Sequence, residues 1–169
     1  MTLETLLSKK KKAILEGWLN LILDTYPADG AKVFKRDTDR FTNPVGYTIS
    51  KEIDTLYDEL VHGMDHCKLH TSIDNIVRIR AVQDFSPSQA IAFVFYLKKV
   101  VREELETEIR EKQLFNEYVG FESKIDELAL LTFDTYMTCR EEIHSIKVNE
   151  IKAERGMLVK LLERTSGTE

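Results

Sequence analysis

Apolar residues recur along this chain at helical spacing almost from end to end. Leu3, Leu6, Leu7, Ile14, Trp18, Leu21 and Ile22 share one face, which predicts an amphipathic helix over about residues 3–25. Lys9 to Lys12 form a solvated band beside that stripe. The segment YPADG (26–30) ends the helix, because Pro27 disfavours helical backbone at Tyr26 and Gly30 permits a turn. A short helix near 30–40 and a second break at NPVG (43–46) come next. From Val45 to about Val61, the series Ile49, Ile53, Leu56, Tyr57 and Leu60 predicts another helix, with Gly63 as its stop. Residues 64–70 are expected to be a connection, and 71–84 the following helix.

The stretch AIAFVFYL (90–97) fits a buried strand as well as a helix on periodicity alone. What precedes it decides the matter. In SPSQ (86–89), Ser86 takes the N-cap position, Pro87 the first helical position and Gln89 the far side of a capping box. With the helix-forming KKVVREELETEIREK behind it, one central helix of about 28 residues is predicted, its first half apolar all round. Gly120 marks the next break, and residues 121–163 form a last helix of up to roughly 60 Å at 1.5 Å per residue. Its early part, IDELALLTFDTYM (125–137), looks like core. Its later part thins to Val148, Ile151, Leu158 and Leu162, a short heptad-like seam with Arg155 intruding. A one-sided stripe that outlasts the body implies a partner helix.

Composition agrees with an all-α fold. Only 7 glycines and 3 prolines punctuate 169 residues, so the elements must be few and long. One domain spanning 1–169 is expected, with the body over about 1–140. The net charge of −5 disfavours nucleic acid as a partner, since phosphate recognition needs a concentrated positive surface. Two cysteines, Cys67 and Cys139, give no disulfide framework, and a reduced, cytoplasmic protein is the simpler reading. KKKKAILEGWLNLIL imitates a secretory leader, but Glu16 and Asn20 interrupt it and no small-residue cleavage site follows. No stretch reaches the roughly 18 apolar residues of a membrane span.

Chemical motifs are sparse. His62, His66 and His70 stand at i, i+4 and i+8 with Cys67 beside them, a spacing that on one continuous helix could hold zinc in a ligand sensor. Gly63 and the helix boundary break that continuity, so the favoured reading is a His-rich connection and no metal. Haem would need a histidine projecting into the core, and the central segments 71–84 and 87–114 have none. No cofactor is therefore expected. Neither a nucleophile elbow nor a P-loop nor a dinucleotide fingerprint is present, which disfavours an enzyme.

The charged cluster RIRAVQD is the exception. Asp74 and Arg78 are placed to pair at i, i+4, and so are Arg80 and Asp84. Ile73, Val77, Ala81 and Phe85 make the main buried stripe, with Arg80 at its edge. A partly buried arginine must be compensated. That favours a structural polar network over an anionic-ligand or partner site, with an idle solvated face third. Gln83 has no assigned partner.

KKKKAILEGWLNLILDTYP, RFTNPVGYTI and IVRIRAVQDFSPSQAIAFVFYLKKVVREEL resemble the N-terminal domain of RsbR-type proteins, the RsbT co-antagonist family of the bacterial stressosome. The resemblance runs from about Leu6 to Leu105 and more loosely through the last helix. It implies a non-haem, globin-like helical fold serving as a signal-input, protein-interaction and dimerisation module. In such proteins the last helix leads to a C-terminal STAS domain. This chain stops at Glu169, so a stand-alone module with an unidentified regulatory protein partner is expected. The resemblance implies no catalytic residue. The matching positions Arg78, Arg80, Gln83, Asp84, Ser86, Pro87, Ser88 and Gln89 are carried over only as motif residues.

Overall fold

Thr2 opens the first helix by accepting a hydrogen bond from the Thr5 amide, and α1 then runs Leu3–Leu23. The computed structural model describes residues 2–27, 30–31, 34, 39–83 and 85–166, with side chains as far as Glu163. The short helix expected near 30–40 lies largely outside the described residues. After it come α2 (Pro44–Asp58), one π turn (Glu59–Gly63), α3 (His66–Ala81), α4 (Pro87–Ile91), α5 (Phe93–Glu111) and α6 (Phe115–Ser166). Among the described residues there is no strand, and the all-α expectation holds.

The five long helices close on themselves as neighbours. α1 lies against α5, α5 against α6, α6 against α3, α3 against α2, and α2 against α1, with α4 wedged between α3 and α6. Trp18, Tyr57, Phe93 and Tyr136 are the most deeply buried aromatic residues of the shared core, none more than 1% exposed. Their polar atoms are not left to solvent. Trp18 Nε1 donates to the Phe93 carbonyl at 2.6 Å, and the Tyr57 hydroxyl to the Leu7 carbonyl at 3.0 Å. Each bond ties α1 to a helix distant in sequence. Buried donors need such acceptors, because an unmade buried hydrogen bond costs about 1–3 kcal/mol.

Several boundaries differ from the sequence expectation. The second helical run does end at Gly63, but not through a left-handed glycine. The backbone widens into the π turn, and Met64 takes the left-handed conformation (φ 71°) instead. Residues 66–70 are helix rather than connection, since the Asp65 carboxylate accepts from the Cys67 and Lys68 amides and starts α3 there. Gly120 lies within α6. The break sits earlier, at Lys112–Leu114, where Gln113 has φ 55°. The predicted 28-residue central helix divides at Ala92 into α4 and α5, and Phe95 on it is 45% exposed. Nor is the lysine band merely solvated. Lys11 reaches Asp54 and Asp58 on α2 at 2.9 and 2.8 Å, while Lys10 reaches Glu104 and Glu108 on α5.

The NPVG break is explained by Asn43, 1% exposed, whose Oδ1 accepts from the Gly46 amide while Pro44 begins α2. A Cβ at Gly46 would collide with that carboxamide, so the position requires glycine.

α6 is the longest element, 52 residues or about 78 Å. Its first part is held from three sides. Glu117 caps the Leu3 amide at 2.8 Å, Lys124 donates to the Leu60 carbonyl of the π turn, and Arg140 donates to the Ala81 carbonyl at the end of α3. Thr132, Thr135 and Thr138 each bond back to the carbonyl four residues earlier, at 2.7, 2.9 and 3.1 Å. Beyond Ile143 every described side chain is exposed except Val148, which is half-buried.

Candidate functional site

The two arginines of RIRAVQD point to opposite sides of α3. Arg78 faces out toward α6, its Nε 2.7 Å from Asp74 Oδ2 and its Nη1 3.6 Å from Glu142. The Asp74–Arg78 pair expected from sequence is thus present, extended onto the last helix. Asp74 raises the Arg78 pKa, by hydrogen bond and by charge.

Arg80 faces in and is 0% exposed. The expected pairing with Asp84 concerns a position outside the described residues. Among the described residues, Arg80 has neutral acceptors only. Its Nε donates to the Ala90 carbonyl at 2.9 Å, and Nη2 to the Gln89 carbonyl at 3.0 Å. Both terminal nitrogens reach the Thr25 hydroxyl at 3.3 and 3.4 Å. The guanidinium stacks 4.3 Å from the Phe85 ring centroid, with the Tyr26 and Phe93 rings at 5.6 and 6.0 Å. Burial pushes its pKa down and Tyr26 partly offsets that, yet an arginine keeps its proton near neutrality. Side-chain bonds to the carbonyls of Gln89 and Ala90 also explain the division at Ala92. Those carbonyls would otherwise accept from the next turn of helix, and Arg80 caps the end of α4 in their place.

The residues after Arg80 build the corner. Ser86 and Gln89 form the predicted capping box in both directions, Gln89 N to Ser86 Oγ at 3.3 Å and Ser86 N to Gln89 Oε1 at 2.9 Å. Pro87 occupies the first turn of α4, and the Ser88 hydroxyl lies 3.2 Å from that of Ser86. Gln83 Oε1 is buried without a hydrogen-bond partner, and so is the Tyr26 hydroxyl. Burial drives the Tyr26 pKa up, while Arg80 and Gln83 both draw it down, so the three side chains converge. Sequence reading passed over Thr25 and used Tyr26 only to end a helix. The Thr25–Arg80 contact crosses 55 positions and that of Tyr26 nearly as many, and no local pattern reports such a pairing.

The histidine group does not converge. His62 turns to α1, with Nδ1 3.1 Å from Glu4 and Nε2 3.4 Å from Ser8. His66, Cys67 and His70 are exposed on the first turns of α3. Among the described residues, no group of three or more His, Cys, Asp or Glu is placed to share a metal ion.

Two surfaces remain. At the α5–α6 turn a groove of about 600 Å³ is lined by Arg102, Glu106, Ile109, Arg110, Phe115 and Tyr118. Its arginines are already matched, Arg102 to Glu122 at 3.0 Å and Arg110 to Glu106 at 2.8 Å. The other surface is the outer face of α6. Leu130, Met137, His144, Ile151 and Leu158 fall at seven-residue intervals, and Leu130, Ile151 and Leu158 are 70%, 63% and 60% exposed. Val148 and Leu162 flank the same seam. Contacts Lys98–Asp126 and Arg102–Glu122 fix α5 and α6 as antiparallel and bring exposed Phe95 level with Leu130. The apolar series expected on the tail therefore begins on the body.

Among the described residues, no helix is long and apolar enough to cross a membrane. A protein of Archaeoglobus fulgidus described only as uncharacterized is 26% identical over 157 residues, covering 92% of this chain and 94% of its own. No solved structure matches. The family model of the RsbT co-antagonist protein rsbRD N-terminal domain matches residues 12–150, from the lysine band of α1 through the capped corner and far along α6. With its all-helical body, buried arginine corner and overlong last helix, the chain belongs to that family.

Proposed function

We propose that this chain is a non-enzymatic regulatory input module of the stressosome type, working as a homodimer through α6. The observation that carries the reading is the mismatch between α6 and the body: a continuous helix of 52 residues whose far part keeps exposed apolar residues in a heptad-like series. Lone exposed leucines need no explanation, but a seam sustained over several turns implies a covering helix. Val148, Ile151, Leu158 and Leu162 are its distal contacts, and Leu130 and Met137 extend it onto the body. A signal that favours one packing of the dimer changes what the paired tails present to a regulatory protein partner. Such a module acts in the cytoplasm and needs neither cofactor nor nucleophile.

Light scattering or sedimentation of the full chain tests the dimer. Twice the chain mass is expected at micromolar concentration, falling to one chain mass in Ile151→Glu/Leu158→Glu. A wild-type chain that stays monomeric at high micromolar concentration ends the reading.

A further inference from the structure

Three polar groups meet where α1, α3 and α4 converge, with less bonding than their burial demands. Arg80 is 0% exposed and Tyr26 8%, and the Tyr26 hydroxyl and Gln83 Oε1 have no hydrogen-bond partner. Arg80 carries five N–H groups. Two are taken by the carbonyls of Ala90 and Gln89, and the terminal nitrogens share one hydroxyl, that of Thr25, at long range. Among the described residues no carboxylate pairs with it. Aromatic rings wall the group, Tyr26 standing edge-on to Phe34 at 5.2 Å and to Phe85 at 5.4 Å. Among the described residues this buried cation is met by neutral acceptors and rings alone, which under-compensates it, and two buried polar atoms without a well-aligned hydrogen bond, the Tyr26 hydroxyl and Gln83 Oε1, sit beside it.

We infer that this corner binds a small planar oxyanion, a carboxylate or an isostere of one, through Arg80, Tyr26 and Gln83. The outer N–H groups of Arg80 and the Tyr26 O–H are donors suited to two oxygens of one anion. The Gln83 carboxamide, turned end for end, offers N–H in place of Oε1, a half-turn its two-fold terminal torsion allows. Water would satisfy Tyr26 and Gln83 but would supply no charge to balance Arg80, which has no carboxylate partner among the described residues. Occupancy would tighten the joint between the end of α1, the end of α3 and α4. The inference deepens the regulatory reading by naming the chemistry of an input, and rests on that reading for its purpose only.

The test is thermal unfolding of the full chain in sodium formate, acetate or nitrate against sodium chloride at equal ionic strength. The midpoint should climb with the logarithm of oxyanion concentration. Formate or acetate acting alone would identify a carboxylate site, and nitrate acting equally would identify a site for the planar oxyanion as such. Tyr26→Phe and Gln83→Leu, which keep the packing, should each weaken the response roughly tenfold. Arg80→Met should abolish it, and where that variant does not fold the other two decide. Asp84→Asn should respond as wild type does. No rise beyond chloride, or equal responses in the Tyr26 and Gln83 variants, overturns the inference. A response that appears only in Asp84→Asn also overturns it, because Asp84 would then be the counter-charge. Light scattering on the same samples separates the two readings: a monomer that responds to oxyanion removes the dimer alone, and a dimer that does not respond removes the site alone.

Discussion

At the α3–α4 corner the Arg80 side chain is held from several directions, whereas beyond Ile143 the described side chains of the α6 tail are exposed, half-buried Val148 excepted. Both regions place charged residues beside apolar ones at helical spacing, and the surroundings decide the outcome. Arg80 is enclosed by two backbone carbonyls, a hydroxyl and three rings. Arg155, equally close to apolar neighbours in sequence, is exposed, as they are. Periodicity therefore identifies a helix but not its stability. That comes from what covers the apolar face, since most helical stability in proteins is tertiary.

The contrast can be attacked most strongly at Arg80. Arg80→Ala leaves the carbonyls of Gln89 and Ala90 unmet and opens space among three rings, so a loss of about 3–5 kcal/mol is expected in chemical denaturation. A loss under 1 kcal/mol would mean that the corner is no better held than the tail. Ser86→Ala removes half of the capping box and should lower stability by about 1 kcal/mol. Glycines sharpen the comparison further. Gly120 and Gly156 both lie inside α6 with open space where a Cβ would go. Gly120→Ala, on the packed part, should raise body stability by about 0.5–1 kcal/mol. Gly156→Ala should leave the body's unfolding midpoint unchanged and instead raise far-UV helicity and slow amide exchange in the tail. Equal midpoint shifts would show that tail and body unfold as one unit. The gentlest probe is thiol labelling of the native protein. Cys67 is exposed, while Cys139 is 4% exposed and burial raises its thiol pKa, so Cys139 should react far more slowly. Comparable rates would place the end of the packed part of α6 before Cys139.

What the sequence disclosed follows the range of each interaction. The capping box at Ser86–Gln89 and the Asp74–Arg78 pair close within four residues, and both were legible. So was the existence of the long helices, because their apolar stripes repeat many times. Boundaries set by uncommon backbone were not. Met64 and Gln113 take left-handed conformations without being glycine, while Gly120, the expected break, is continuous helix. The start of α3 was misplaced because Asp65 caps a turn that looked like a polar connection. Least legible was the inward partner set of Arg80, which joins the end of α1 to the end of α4 across the fold. The direction of an arginine is fixed by the space its neighbours leave, and a single chain records that space nowhere locally.

The back-bonded threonines of α6 have a mechanical consequence. Such bonds loosen the carbonyl they share and bend a helix toward that side. Thr132, Thr135 and Thr138 cluster in the last turns still packed against the body, and about 42 Å of helix extends beyond Thr138 to Ser166. A five-degree change of tilt at that fulcrum carries the far end through roughly 4 Å at 1.5 Å of rise per residue. On such a lever, a change of tilt too small to unpack the core would be large at the far end.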